Sequence, residues 1–107
     1  MGKESLLQAK FSSEEIEING EKYEVREMTA GDASIYESSL FNMVNGKPVY
    51  NTKNAKTKLV LMTLYQAGAR VFEDKDIGLI ESLPYSVLNQ VFEIASKLNS
   101  LGTAEKN

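Results

Sequence analysis

Asp74-Lys75-Asp76-Ile77-Gly78 is the nearest this chain comes to a metal loop, and its spacing is wrong for one. A calcium loop of the EF-hand type needs Gly at its sixth position and a bidentate Glu at its twelfth. Counting from Asp74, Gly78 is fifth and Tyr85 is twelfth. Acids crowded in this way suit the first turn of a helix, where they complement the positive end of the macrodipole. The other carboxylate pairs, Glu14 with Glu15 and Glu24 with Glu27, fall on or beside a segment whose polar face is expected to be wet, so their pKa values are not tuned for proton transfer. The chain has no His and no Cys, which removes imidazole bases, thiolate nucleophiles, disulfides and the usual zinc or haem ligands together. It also lacks a Gly-rich phosphate loop and a G-x-S-x-G elbow. The expectation is a protein that is not an enzyme, with no catalytic residue, no metal and no cofactor.

Binding chemistry is better represented. Lys53, Lys56 and Lys58 cluster at the start of a helical stretch, where cations oppose the macrodipole. Either they are a solvated helix end or they meet an acidic surface on a partner protein. The same stretch carries Leu59, Val60, Leu61, Met62, Leu64, Tyr65 and Ala67, more apolar side chains than one face can hold. Either the helix is sandwiched between two layers, or Leu61 and Tyr65, i and i+4 neighbours, help to bind another helix. Leu6, Leu7 and Phe11 near the start have no assigned partner within the domain. The candidate partner-binding set is therefore Leu6, Leu7, Phe11, Lys53, Lys56, Lys58, Leu61 and Tyr65, serving self-association or capture of a client. Nucleic acid is not expected, because the net charge of -3 leaves no basic footprint overall.

These residues must be held by a framework that the patterning outlines. Ile16-Glu17-Ile18-Asn19-Gly20-Glu21-Lys22-Tyr23-Glu24-Val25-Arg26 alternates apolar and polar around Asn-Gly, a strong hairpin signal. A two-residue turn there sets Ile18 opposite Glu21, Ile16 opposite Tyr23 and Glu14 opposite Val25 on a buried face. Glu17 with Lys22 and Glu15 with Glu24 lie on the other, where the like-charge pair needs water and Lys22 or Arg26 nearby. Thr29 to Asp32 has capping-box spacing and opens a helix through Ile35, Tyr36, Leu40, Phe41 and Val44, stopped by Asn45-Gly46, with Gly46-Lys47-Pro48 a loop. A middle helix is predicted from about Thr52 to Ala67, with Gly68 as its C′ residue. Arg70-Val71-Phe72 is an extended link to a helix carrying Ile77, Ile80 and Leu83. Pro84 then suits the first position of a last helix whose stripe is Val87, Leu88, Val91, Ile94, Ala95, Leu98 and Leu101, capped by Gly102.

A chain of 107 residues with ordinary apolar and charged fractions makes one domain able to bury a core without disulfides. The division is an arm over 1–12, a domain over 13–102 and a polar tail over 103–107. The fold class is α+β, an N-terminal β-hairpin packed on a bundle of about four α-helices. Leu59 to Met62 is far short of the ~20 apolar residues that span a bilayer, so no membrane is expected. Absence of Cys fits a reducing cytoplasm.

Ile16-x-Ile18-Asn19-Gly20-x-x-Tyr23-x-Val25-Arg26-Glu27-Met28-Thr29, then Val71-Phe72-x-Asp74-x-Asp76-Ile77-x-x-Ile80-x-x-Leu83-Pro84 and a final helix ending Leu98-Asn99-x-Leu101, together resemble the tail assembly chaperones of long-tailed bacteriophages and prophages. The likeness spans roughly residues 14–101. It implies a small protein of the host bacterial cytoplasm, absent from the finished virion, that keeps the tape-measure protein soluble and helps recruit major tail protein. It further implies a frameshifted longer product, to which a chain ending at Asn107 would be the short counterpart. Residues Asn45 to Asn51 depart from the family pattern. A virion structural part, such as a head-tail connector or tail-completion protein, is the alternative, and a small bacterial regulator or inhibitor the third reading.

Overall fold

The Asn19-Gly20 signal makes the ribbon it predicts. Strands β1 (Ser13–Ile18) and β2 (Glu21–Arg26) pair antiparallel in the expected register, Ile18 opposite Glu21, Ile16 opposite Tyr23 and Glu14 opposite Val25. The turn residues take φ of 53° and 81°, the left-handed pair that a type I′ turn demands and that Asn-Gly supplies at little cost. The computed structural model describes residues 2–50 and 54–100. In it Ile16 and Val25 are buried, and Ile18 and Tyr23 pack against the same core.

Two elements differ from the sequence reading, one through a local turn and one through pairing with a distant strand. The first helix of the domain, α2 (Ala30–Ser39), starts as expected, with Thr29 Oγ1 accepting from Asp32 N–H at 3.1 Å. It ends before Phe41, however, and Phe41 and Val44 lie on β3 (Phe41–Val44), paired with β4 (Lys47–Tyr50). Asn45-Gly46, at φ 53° and 78°, turns a second hairpin instead of ending a helix. The middle helix α3 (Ala55–Thr63) is likewise shorter than predicted, and Leu64 begins β5 (Leu64–Gln66), which pairs with both β2 and β6 (Ala69–Arg70). Ala67-Gly68 turns this third ribbon at φ 54° and 85°. The free edge of β2 supplies what local pattern cannot: Val25 pairs with Leu64 and Glu24 with Tyr65, so the chain gains ladder hydrogen bonds where helix propensity alone would have continued. The expected ribbon is thus half of a four-stranded antiparallel sheet of order β1-β2-β5-β6.

Ala67 holds a left-handed conformation that costs a non-Gly residue roughly 1–2 kcal/mol, with Gly68 already filling the second turn position. Ala67→Asn is expected to raise stability by up to about 1 kcal/mol, since Asn tolerates that conformation. Urea melts of the two proteins check this; an unchanged or lower midpoint would count against a type I′ turn here.

Five α-helices occur among the described residues, and the fold is α+β. Beyond a short arm helix α1 (Gly2–Leu7), α3 is the centre of the bundle: Thr57, Leu59, Val60, Leu61 and Thr63 are buried, and it packs on α5, α4 and α2. This is the sandwiched arrangement that its all-round apolar surface demands. Thr63 is fully buried, and its hydroxyl is satisfied by donating to Leu59 C=O at 2.7 Å. The acids around Asp74 do the capping expected of them. Glu73 and Asp76 exchange side chain-to-backbone bonds at the 3₁₀ turn Asp74–Asp76, which leads into α4 (Ile77–Glu81). The last helix, α5 (Tyr85–Leu98), follows Pro84 and buries Val91 and Ala95, with Leu88, Ile94 and Leu98 packed beside them. It ends at Leu98, with Ser100 left-handed at φ 59°; Leu101, Gly102 and the tail 103–107 lie outside the described residues. Asn99 ties this end to the sheet: its Oδ1 accepts from Met28 N–H and its Nδ2 donates to Ala95 C=O, both at 2.8 Å.

Candidate functional site

The structure divides the eight candidate binding residues into those it uses internally and those it presents. Leu61 belongs to the first group. It is only 7% exposed, yet it also forms part of the wall of a mostly apolar groove of about 240 Å³ between α2 and α3, beside Ile35, Tyr36, Lys58 and Met62. Tyr65 lies on β5, so the helical i, i+4 pair with Leu61 does not form. On the outer face of the sheet the Arg26 guanidinium sits 4.2 Å from the Tyr65 ring centroid, a cation–π contact. Arg26 Nε also donates to Glu24 Oε1 at 2.8 Å. This settles how Glu15 and Glu24 can stand opposite each other: the bond from Arg26, with a second from Ser13, holds the Glu24 carboxyl below its ordinary value.

The lysines are likewise engaged. Lys56 Nζ donates to Tyr85 Oη at 2.7 Å and Asn89 Oδ1 at 2.9 Å, and lies about 5 Å from the Tyr85 and Phe92 rings. The bond from Lys58 Nζ goes to Ser39 C=O at the end of α2. Each lysine thus links α3 to a neighbouring helix, and their charges are only partly available to a partner. Lys53 lies outside the described residues.

Leu6, Leu7 and Phe11 are well exposed, the first two on α1, which has no buried residue. The arm is held at its base by a reciprocal pair: Glu27 N–H donates to Ser12 C=O at 2.8 Å and Ser12 N–H to Glu27 Oε1 at 3.0 Å.

A further presented surface lies where the sequence reading places the end of a helix and a loop. Every residue of β3 and β4 is exposed. Because opposite residues share a face, Phe41, Met43, Pro48 and Tyr50 lie together on one side of the ribbon. Phe41 and Tyr50 stack obliquely with ring centroids 5.4 Å apart, and Met43 is 69% exposed. The buried Tyr36 supports its base: burial pushes the Tyr36 phenol above its ordinary value, and the Tyr50 phenol adds to the rise. A two-stranded ribbon of this length is marginal by itself, and side chains of this kind left in water usually mark an interaction surface. The signal that could have found it is the second Asn-Gly, flanked by Phe41, Met43, Val49 and Tyr50.

Among the described residues, no group of three acids is placed to hold a metal ion, and no helix is long and apolar enough to cross a membrane. The arrangement offers two apolar projections, the arm and the β3–β4 ribbon, on a well-packed base. No family model matches the chain, and no curated protein sequence does. Among solved structures, it matches the tail assembly chaperone of bacteriophage HK97 with a TM-score of 0.50, over 87% of this chain and 96% of that one, at 16% sequence identity. The chain therefore shares its fold with a bacteriophage tail assembly chaperone.

Proposed function

We propose that the protein is a phage tail assembly chaperone that works in the host bacterial cytoplasm, binds the tape-measure protein, helps recruit major tail protein and is absent from the mature virion. The observation that carries this reading is the fold likeness over nearly the whole of a chaperone of that kind, 96% of its chain. The exposed apolar side chains supply the physical means. A long client rich in apolar segments is kept soluble by surfaces that cover those segments, and here Leu6, Leu7 and Phe11 on the arm and Phe41, Met43 and Tyr50 on the ribbon are exposed together.

The test is capture of a phage tape-measure protein by the purified chain, together with mass spectrometry of purified particles. The triple variant Phe41→Ser, Met43→Ser and Tyr50→Ser is expected to loosen the ribbon by about 0.5–1.5 kcal/mol, the worth of its ring pair, to leave the melting of the base near wild type, and to lose capture. Removal of residues 1–11, which spares Ser12 and its two bonds to Glu27, is expected to weaken capture with the fold retained. Stoichiometric recovery of the protein in finished particles would instead favour a virion component, and failure of the wild-type protein to capture the client would remove the chaperone reading.

A further inference from the structure

The ladder pattern of the β3–β4 ribbon leaves one edge open. In a hairpin closed by a two-residue type I′ turn, the residues flanking the turn form a hydrogen-bonded pair and the pairs alternate from there. Val44 with Lys47 and Asn42 with Val49 are therefore the bonded pairs, while Met43 with Pro48 and Phe41 with Tyr50 turn their backbone groups outward. Pro48 has no N–H, so it costs the ladder nothing at its position and spoils the outer edge of β4 as a template. The outer edge of β3 has no such guard. Phe41 and Met43 are exposed, and among the described residues neither takes part in a hydrogen bond outside the ladder.

The edges of the main sheet are protected by comparison. By the same alternation from Asn19-Gly20, the outward positions of β1 include Glu15 and Glu17, whose charges discourage pairing, and β6 is only two residues long. Charge also separates the ribbon from the rest of the chain. From Ser38 to Phe72 there is no Asp or Glu, whereas Lys47, Lys53, Lys56, Lys58 and Arg70 all fall there in a chain whose net charge is -3. Lys47 stands at the ribbon's turn and Lys58 reaches the end of α2 beside β3.

We propose that the outer edge of β3 receives an extended segment of the client, apolar at alternate positions and flanked by acidic residues, which adds as a third strand to the ribbon. Backbone bonds to Phe41 and Met43 supply affinity, the Phe41, Met43 and Tyr50 side chains cover the added strand's apolar face, and Lys47 and Lys58 beside the ribbon favour acidic flanks. This rests on the chaperone reading and specifies its mode of capture.

The probe is a ten-residue peptide with alternating valine and threonine in the middle and two aspartates at each end, titrated into the full chain. Amide hydrogen exchange is expected to slow at Phe41 and Met43 on binding, and to change little at Asn42 and Val44, which the ladder already protects. Met43→Pro removes the outward N–H without touching a ladder bond and should weaken binding about three- to tenfold, the worth of one backbone hydrogen bond. Met43→Ala keeps that N–H and should bind more tightly than Met43→Pro; a lysine-flanked peptide should bind less than the aspartate-flanked one. Intact Val44 and Val49 amide signals verify the ribbon in each variant. Absence of peptide binding, equal binding by Met43→Pro and wild type, or Phe41 and Met43 protection that rises with protein concentration alone would overturn the proposal, the last because a second copy then fills the edge. Because peptide and tape-measure protein are assayed separately, an edge that binds peptide while the client is not captured would sink the chaperone reading and leave the edge site standing.

Discussion

Val91→Asp should leave a chain with no cooperative thermal transition. Val91 lies mid-stripe on α5, is 1% exposed and belongs to the cluster that also holds Leu59, Val60, Val25 and Ile80. A carboxylate there meets no cation and few polar groups, so it must be buried charged, be buried protonated, or push α5 off the sheet. Each route costs several kcal/mol, which is comparable to the roughly 5–15 kcal/mol that holds a domain of this size together. α5 packs on both β1–β2 and α3, so its displacement uncovers the sheet and the central helix at once. Circular dichroism during heating reads the outcome directly. A sigmoidal melt at the wild-type midpoint would mean that α5 does not bury this face.

The second large effect separates Leu61 from Tyr65. Leu61→Ala is expected to destabilise by about 2–5 kcal/mol, towards the lower end because the side chain borders a groove that can partly close. Tyr65→Ala removes a half-buried ring from the outer face of β5 and with it the contact to Arg26, worth about 0.5–1 kcal/mol at such a site, plus some cross-strand packing. Chemical denaturation of the two single variants should therefore give a clearly larger midpoint shift for Leu61→Ala. Equal shifts, or the reverse order, would restore the idea that the two side chains share one helical face.

The parts of the fold legible in the sequence are those where local pattern and tertiary demand agree. The β1–β2 register follows from Asn19-Gly20 and strict alternation, the Thr29 cap from its hydroxyl and Asp32, and the buried face of α5 from a stripe at helical spacing. The parts that are not legible are those where two local readings are nearly equal and strand pairing decides between them, across a tight turn in one case and with a distant strand in the other. Phe41 and Val44 fit a loose helical rhythm after Tyr36 and Leu40, and Pro48 argues against a strand. Only the pairing shows that Pro48 sits where no ladder bond is needed. Leu64 and Tyr65 continue an apolar helix by pattern, yet Val25 and Glu24 draw them into the sheet. The candidate surface was read with the same mixture. Leu6, Leu7 and Phe11 lack a partner by pattern and are exposed in the structure, whereas the ribbon is not legible because Asn45-Gly46 fits a helix stop as well as a turn. Lys53, Lys56 and Lys58 fit a solvated helix end or a patch facing an acidic partner by sequence, and the described ones are hydrogen-bonded to Tyr85, Asn89 and Ser39.

The bond from Met28 N–H to Asn99 Oδ1 joins residues 71 positions apart, and this separation sets a clock for synthesis. At roughly 5–20 residues per second, a ribosome needs about 4–14 seconds to pass from Met28 to Asn99. Throughout that interval β1–β2 can close on its own turn, but Ile16 and Val25 have no α5 to cover them. The nascent chain must therefore carry an uncovered apolar ribbon until its last helix emerges. Rare-codon pauses placed between the two segments would lengthen that exposure, and a fast finish would shorten it.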